Sequence, residues 1–308
     1  MTTAIEARGL SKRYSGAWAV KDVSFAVEAG CVYGFIGPNG AGKTSTISLL
    51  TGLLPPTEGD ALIFGRSVRK EPDLKRRIGV VPDSPRLYGY MSAKEYLEFF
   101  SGIYGVKDNS RRIRELLDYF SLSEHAKKKL KKYSHGMKQK VNIARALVHD
   151  PEVLFLDEPI SGLDPSGVKE VRDVIISEKN KGKTIFISSH ILSEMDKVCD
   201  HVGIINRGRM LSSGSVEEVI GAIDAGIEHV IEVDCLDDAL PSALREIRGV
   251  SAVSAEGKVL RITAKGGHDI RRDLSRRITR AGAVILAMRE EGAGLEDAFV
   301  EMIKEEGR

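Results

Sequence analysis

The strongest chemical signal in the sequence is GFIGPNGAGKTSTISLL, residues 34–50, which has four glycines in its first nine positions. Two glycines five residues apart, Gly37 and Gly42, are followed by Lys43 and Thr44, and this is the spacing of a phosphate-binding loop. The lysine would reach the β- and γ-phosphates of a nucleotide, and the threonine hydroxyl would bind Mg²⁺. The predicted phosphate-binding residues are Gly37, Pro38, Asn39, Gly40, Ala41, Gly42, Lys43, Thr44 and Ser45.

The residues around this loop predict the secondary structure that such a site needs. CVYGFI, residues 31–36, indicates a short buried strand, and residues 45–54 have apolar side chains at helical spacing. A glycine-rich loop between a strand and a helix offers backbone amides and the positive end of the helix to an anion. The alternative, a dinucleotide-binding fold, requires glycine at the sixth place of GxGxxG, where this chain has Ser45. The sequence therefore favours a nucleotide bound through its phosphates.

A second candidate site follows the apolar run in VLFLDEP, residues 153–159. Such a run is typical of a parallel strand buried on both faces, so its two acids lie at the carboxyl end, where ligands bind in open α/β sheets. Beside a phosphate loop, Asp157 would hold the Mg²⁺ water shell and Glu158 would polarise the attacking water. The alternative is that the acids only cap a helix, which would be the better reading without the loop upstream.

Composition sets wider limits on the protein. The 308 residues suffice for one large or two ordinary domains, and 46 basic residues almost balance 44 acidic ones. The cysteines, at positions 31, 199 and 235, lack metal-binding spacing and do not indicate a disulfide framework. No stretch approaches the roughly 18 apolar residues of a transmembrane helix, so we expect no membrane span in this chain.

KKYSHGMKQKVNIARAL, residues 131–147, lies between these two motifs. It resembles the signature of the ATP-binding subunits of ABC transporters, whose usual form is Leu-Ser-Gly-Gly-Gln followed by a helix. Ser134 and Gly136 match that form. In the family this loop binds the γ-phosphate of the nucleotide held by the opposite subunit. The resemblance therefore implies a homodimer with two ATP molecules between its subunits and makes these two residues ATP ligands.

Three positions of the signature, Tyr133, His135 and Met137, depart from the commonest form. We expect Tyr133 to pack and His135 to be a solvent-facing loop histidine without chemistry. The helix is predicted to run from about residue 138 to residue 148.

Other elements of the family follow in order. SGLDP, residues 161–165, resembles the loop that crosses the dimer interface, which implies a nucleotide contact for Asp164. His190, at the end of TIFISSH, resembles the switch histidine that contacts the γ-phosphate and is the second predicted catalytic residue beside the glutamate of LDEP. Tyr14 matches the aromatic residue that stacks on adenine, with Trp18 as the alternative. The resemblance covers roughly residues 4–220, about two thirds of the chain.

Asp83 stands where the family usually has glutamine. An aspartate can ligate Mg²⁺ or accept from water, but it is one carbon shorter and cannot donate, which puts the usual role of this position in doubt. The helical segment that follows, about residues 85–150, would form an inserted subdomain whose aromatic residues mostly fill its core. In the family this subdomain also receives the membrane subunit, so Tyr88 and Tyr90 are candidates for that contact.

The end of the chain has a different pattern. From about Gly226 onward the order is βαββαβ, which predicts a ferredoxin-like domain and resembles the C-terminal extension of ABC-2-type export ATPases. The predicted architecture is an α/β P-loop NTPase cassette of the ABC type with an inserted helical subdomain, residues 1–222, and a small α+β domain, residues 223–308.

Three functions are compatible with these motifs. The first is the ATPase of an exporter, bound to a separate integral membrane permease on the cytoplasmic face of the cell membrane. The second is an ABC protein that acts on DNA or ribosomes, but the basic run at residues 125–132 lacks interleaved aromatics and indicates a solvated face. The third is a small-molecule kinase, which would leave the signature and His190 without a purpose. The resemblance favours the first and no nucleic-acid partner.

Overall fold

The computed structural model describes residues 2–84, 86–221, 227–237, 239–264, 269–291 and 294–306. The chain divides into two compact units, residues 1–216 and 217–308. The predicted domain boundary between residues 222 and 223, the start of the last domain near Gly226, and the start of the helical subdomain at Pro85 lie outside the described residues. Within the described ranges, no helix is long and apolar enough to cross a membrane.

The first unit contains two sheets and the helices that cover them. Its strands are β1 (Thr3–Tyr14), β2 (Ala17–Glu28), β3 (Val32–Ile36), β4 (Glu58–Ile63), β5 (Arg66–Ser67), β6 (Ile78–Val81), β7 (Val153–Asp157), β8 (Thr184–Ser189), β9 (His201–Asn206) and β10 (Arg209–Ser215). Its helices are α1 (Lys43–Leu50), α2 (Ala93–Tyr104), α3 (Asn109–Tyr119), α4 (His135–Leu147), α5 (Pro165–Asn180) and α6 (Leu192–Met195), and α7 (Val216–Gly221) begins at the boundary.

The larger sheet brings the sequence motifs to one edge. Its strand order is β10-β9-β3-β8-β7-β6, and all strands except β10 run parallel. Every residue of β3, β7 and β8 is buried, which explains their continuous apolar sequences. Because these three strands are neighbours and point the same way, the loops after them meet. The phosphate loop follows β3, Asp157 ends β7, and His190 follows β8.

The second sheet is antiparallel, in the order β2-β1-β4-β5. Aromatic rings join the strands of the two sheets into one core. Phe186 is fully buried, and its ring centroid lies 5.3 to 5.7 Å from those of four other rings. These rings belong to Phe25, Tyr33, Phe35 and Phe155. Helix α1 contributes Ile47, Leu49 and Leu50 to the same core, so the strands that end at the site and the helix that begins there share one set of packing contacts.

Helix α4 covers the outer edge of β6, the last strand of the larger sheet. Asn142 donates to the carbonyl of Pro82 at 3.4 Å, Arg145 donates to Val80, and His149 Nε2 lies 3.0 Å from the carbonyl of Ile78. Asn142 and Arg145 lie on α4 and His149 follows its end, while their acceptors are every second residue along β6 and just after it. This pairing satisfies an edge that would otherwise be open.

Two helices start at different residues from those expected. The helix after the phosphate loop begins at Lys43 and ends at Leu50, before Gly52 with φ of 66°. The signature helix begins at His135, three residues before its predicted start, because the Ser134 hydroxyl accepts from the amide of Met137 and caps it. His135 is therefore not a loop residue but the first residue of α4.

The second unit has β11 (Ile227–Val233), α8 (Leu240–Arg245), β12 (Val250–Glu256), β13 (Val259–Ala264), α9 (Arg271–Arg280), β14 (Ile285–Glu291) and α10 (Leu295–Glu306). Its sheet is antiparallel in the order β12-β13-β11-β14. This order places β13 between the two strands of the first βαβ pair, as in a ferredoxin-like domain. Leu244, Ile262 and Leu274 belong to its own hydrophobic core.

The aromatic core generates a stability prediction. Phe186→Ala should destabilise the first unit by about 3–5 kcal/mol, because a large cavity would form between the sheets. Phe99→Ala is the matched control, since Phe99 is 44% exposed, and it should cost under about 1 kcal/mol. Urea unfolding followed by the fluorescence of Trp18, the single tryptophan of the chain, measures both. Equal losses would contradict the importance of the ring cluster.

Candidate functional site

The backbone of the phosphate loop requires glycine at both glycine positions of the motif, Gly37 and Gly42. Gly42 has φ of 108°, and a Cβ there would lie 2.6 Å from the carbonyl oxygen of Ala19. A Cβ on Gly37 would lie 2.4 Å from the carbonyl oxygen of Ile205. No side chain caps the first turn of α1, so its amides are available to an anion. The loop therefore has the geometry of a phosphate site.

Lys43 is buried, and its ammonium is held by oxygen atoms. Its Nζ atom donates to the carbonyl of Gly37 at 2.7 Å and to that of Pro38 at 3.3 Å. It also lies 3.0 Å from Oε1 of Glu158. Two carbonyl contacts keep the lysine extended along the loop, while a carboxylate neutralises it. An incoming phosphate group would compete with Glu158 for the same ammonium.

Glu158 occupies a strained position between the side chains of Lys43 and His190. Its φ of 47° places a non-glycine residue in the left-handed region. The amide of Glu158 donates to Ser188 Oγ at 3.0 Å, and its Oε2 atom lies 2.8 Å from Nδ1 of His190. A carboxylate only accepts, so Nδ1 carries the proton in this contact. The strain turns the carboxylate towards Lys43 and His190.

Asp157 lies beside Glu158 and is hydrogen-bonded to two hydroxyl groups. Its Oδ1 atom accepts from Ser188 Oγ at 2.6 Å, and the hydroxyl of Thr44 is a further hydrogen-bond partner. Burial raises the pKa of Asp157, and the negative charges of Asp83 and Glu158 raise it further, against the opposing hydrogen bonds. Two carboxylates and a hydroxyl oxygen with excess negative charge fit a hard divalent cation.

Lys43 and Glu158 line a cleft of about 570 Å³. Six of the predicted residues of the phosphate loop contribute to it, together with Asp83, Glu158 and His190. Its lining consists of Ala19, Asn39, Gly40, Gly42, Lys43, Thr44, Ser45, Asp83, Glu158, Ser161 and His190. The sequence motifs thus meet at one place, and Ala19 is a lining residue that no motif indicated.

Besides three residues of the loop and Asp157, four predicted ligands from other parts of the chain lie outside the lining of this cleft. Tyr14 is 43% exposed at the end of β1, with the ammonium of Lys12 5.4 Å from its ring centroid. Ser134 caps α4, Gly136 lies in the first turn of that helix, and Asp164 Oδ1 caps α5 by accepting from the amide of Gly167 at 2.9 Å. Within one chain, Ser134 and Asp164 are exposed, and each stabilises the start of a helix.

Sequence reasoning missed Ser188, which connects the two acids. This fully buried serine donates to Asp157 and accepts from the amide of Glu158, so it fixes both carboxylates from the neighbouring strand β8. The only signal for it was a pair of small polar residues in the otherwise apolar TIFISSH. Gln139 was also missed, although it is buried and donates to the carbonyl of Pro159 at 3.0 Å.

The raised pKa of Asp157 predicts a stability effect in the nucleotide-free protein. Below the ordinary value of 3.8 the carboxyl is protonated in both folded and unfolded states, and no penalty exists. As pH rises through the higher folded pKa, the folded state loses stability relative to the unfolded state. Asp157→Asn removes this penalty and keeps an acceptor for Ser188, so it should melt at a higher temperature at pH 7.

Melting curves between pH 4 and pH 8 test this expectation. The gain should shrink towards pH 4, and Asp173→Asn, a change at an exposed position of α5, should leave melting unchanged throughout. A lower melting temperature for Asp157→Asn at pH 7 would contradict the desolvation argument.

This chain is similar in sequence to several known proteins. The family described as ABC transporter matches residues 20–161. The bacitracin transport ATP-binding protein BcrA of Bacillus licheniformis is 46% identical over 68% of this chain and 69% of its own length. The linearmycin resistance ATP-binding protein LnrL of Bacillus subtilis is 33% identical over 86% of each chain. Another relative, 43% identical, is matched over only 62% of its own length.

A solved structure described as the ATP-binding subunit of an ABC transporter has the same fold. It superposes with a TM-score of 0.66 at 32% identity, over 71% of this chain and 92% of its own. The predicted α/β P-loop NTPase fold is thereby confirmed. With its phosphate loop, paired carboxylates and signature helix, this chain belongs to the family of ABC transporter ATP-binding proteins and is an ATPase.

Proposed function

We propose that this chain is the ATP-binding and ATP-hydrolysing subunit of an exporter and that it acts with a separate membrane permease. The observation that carries the hydrolytic part is the contact of Glu158 with both Lys43 and His190 in the cleft of the phosphate loop. A carboxylate, an ammonium and an imidazole converge there beside a helix start that binds anions. This arrangement suits hydrolysis of a terminal phosphate, which depends on positioning and charge neutralisation.

Each residue has a role that its position supports. Lys43 binds the β- and γ-phosphate oxygens once they replace the carboxylate at its ammonium. Glu158, released from the lysine, polarises a water molecule towards the γ-phosphate, and His190 orients the carboxylate and the phosphate. Thr44 and Asp157 would hold Mg²⁺, with Asp83 as a further oxygen ligand, and the cation would supply charge neutralisation at the phosphates.

A homodimer would complete the site. Ser134 and Gly136 at the start of α4, and Asp164 at the start of α5, would contact nucleotide bound by the other subunit. The support is that Ser134 and Asp164 are exposed at the starts of these helices, where the positive ends of the helix dipoles lie. Tyr14 would stack on adenine at the exposed end of β1.

The proposed export role is supported by two relatives, one named for bacitracin transport and the other for linearmycin resistance.

For the permease, the first unit offers a groove of about 290 Å³ between helices α2 and α4 and the larger sheet. Phe100, Tyr104 and Arg145 contribute to its lining. Exposed Tyr88 and Tyr90, whose rings stack at 6.0 Å, are candidates for the same contact. The protein would then lie on the cytoplasmic face of the cell membrane.

Glu158→Gln tests the hydrolytic role. It keeps the shape of the side chain, so MgATP binding should persist while turnover falls by about 10²-fold to 10⁴-fold. Trapped ATP should also hold the dimer together, which size exclusion at saturating MgATP would detect. The control is Glu152→Gln, because Glu152 makes only a surface ion pair with Arg77 and should not affect turnover. Retained hydrolysis in Glu158→Gln would remove this residue from catalysis, and a monomer would argue against the sandwich.

The permease proposal is tested by purification from membranes. A tagged chain should retain an integral membrane protein in mild detergent, and replacing Tyr88 and Tyr90 together by Ser should weaken that complex. Tyr119→Ser serves as the control, because Tyr119 is 39% exposed at the end of α3, away from the paired tyrosines in sequence. If the membrane protein binds the double variant as well as the native chain, these tyrosines are not its contact.

A further inference from the structure

Helix α4 contacts the loop that follows the catalytic carboxylate at two points. Gln139 donates to the carbonyl of Pro159 at 3.0 Å, and His135 Nε2 lies 3.3 Å from the carbonyl oxygen of Ser161. The two donors are four residues apart on α4, so they share one face of the helix. They bind carbonyls on either side of Ile160, which is itself buried. One face of the signature helix therefore holds the first turn after Glu158.

The contact of His135 fixes which ring nitrogen carries a proton. A carbonyl oxygen only accepts, so Nε2 must donate to Ser161. The ring also packs against Gly162, where a Cβ would lie 3.5 Å from Nε2. Gly162 has φ of 69°, so the loop turns sharply where the imidazole meets it. Glycine, the usual residue of the family at position 135, has no side chain to make this contact.

Ser161 is hydrogen-bonded through its backbone to both His135 and Glu158. The amide of Ser161 donates to the carbonyl of Glu158 at 3.1 Å, while the carbonyl of Ser161 accepts from His135. The residue at the other end of this chain of hydrogen bonds has the left-handed φ of 47°. Such a conformation persists only where its surroundings determine it. Ser161 also lines the nucleotide cleft, so a shift of this turn reaches the site directly.

We propose that His135 is a positioning residue that fixes the turn at Ser161 and, through it, the backbone of Glu158. The side chain thereby connects the start of the signature helix to the carboxylate that acts on water within the same subunit. The inference rests on the proposed role of Glu158 in hydrolysis. It assigns to His135 a function in turnover and none in binding the nucleotide of its own subunit, because the imidazole contacts the loop and does not line the cleft.

Two variants of this position separate positioning from general stability. His135→Ala removes the donor, whereas His135→Gln keeps an amide donor near the position of Nε2. His135→Ala should lower kcat by about tenfold, because a loosened carboxylate loses its orientation, with KM for MgATP within about twofold. His135→Gln should recover most of the native kcat. His125→Ala is the matched control, since its side chain is exposed before the signature and should leave kcat unchanged.

Hydrogen exchange gives a readout that does not require ATP. In nucleotide-free protein, amides of the peptide covering residues 158–164 should exchange faster in His135→Ala and at the native rate in His135→Gln. Unchanged kcat in His135→Ala, equal slowing in both variants, or a change in KM alone would overturn the proposal. If Glu158→Gln retained hydrolysis, the proposed catalytic role would fail while the exchange result would still report the loop contact.

Discussion

The buried ammonium of Lys43 is the interaction on which the arrangement of the site depends. A cation removed from water needs compensating oxygen atoms, and here the loop carbonyls of Gly37 and Pro38 and the carboxylate of Glu158 provide them. Gly37 can offer its carbonyl only because it lacks a Cβ, which would collide with the backbone of β9. The end of β7 must in turn bring a carboxylate to the lysine. The need to compensate the buried charge of Lys43 therefore couples the positions of β3, β7 and β9.

The second constraint is the turn after β7. Glu158 leaves the extended conformation within one residue of the strand, and this turn points its side chain across the sheet edge towards α1 and β8. Ser188 holds the amide of Glu158 and the carboxylate of Asp157 from β8. Helix α4 holds the following residues from the other side through Gln139 and His135. The strained residue therefore has partners on both sides.

Helix α4 also has a wider role in the first unit. Asn142 and Arg145 of this helix, with His149 just beyond its end, contact the free edge of β6. Asp83, two positions after that strand, lines the nucleotide cleft. Ser134 caps the start of the same helix, and Arg145 of this helix lines the groove proposed for the permease. For the βαββαβ unit, a role in regulation or dimer support is a proposal by resemblance.

The sequence alone determined the phosphate loop with its strand and helix, the strand with its two acids, and the βαββαβ order at the end of the chain. These features are local, because glycine spacing, apolar runs and helix periodicity depend on neighbouring residues. Only the tertiary structure decided that Glu158 is the partner of the buried lysine and that Ser188 connects the two acids. The same holds for His135, which is not an isolated loop histidine but a donor to the turn after the catalytic strand. Such contacts join residues up to 115 positions apart, as Lys43 and Glu158 are, and the distances between them depend on the packing of β3, β7 and β8, which no local pattern encodes.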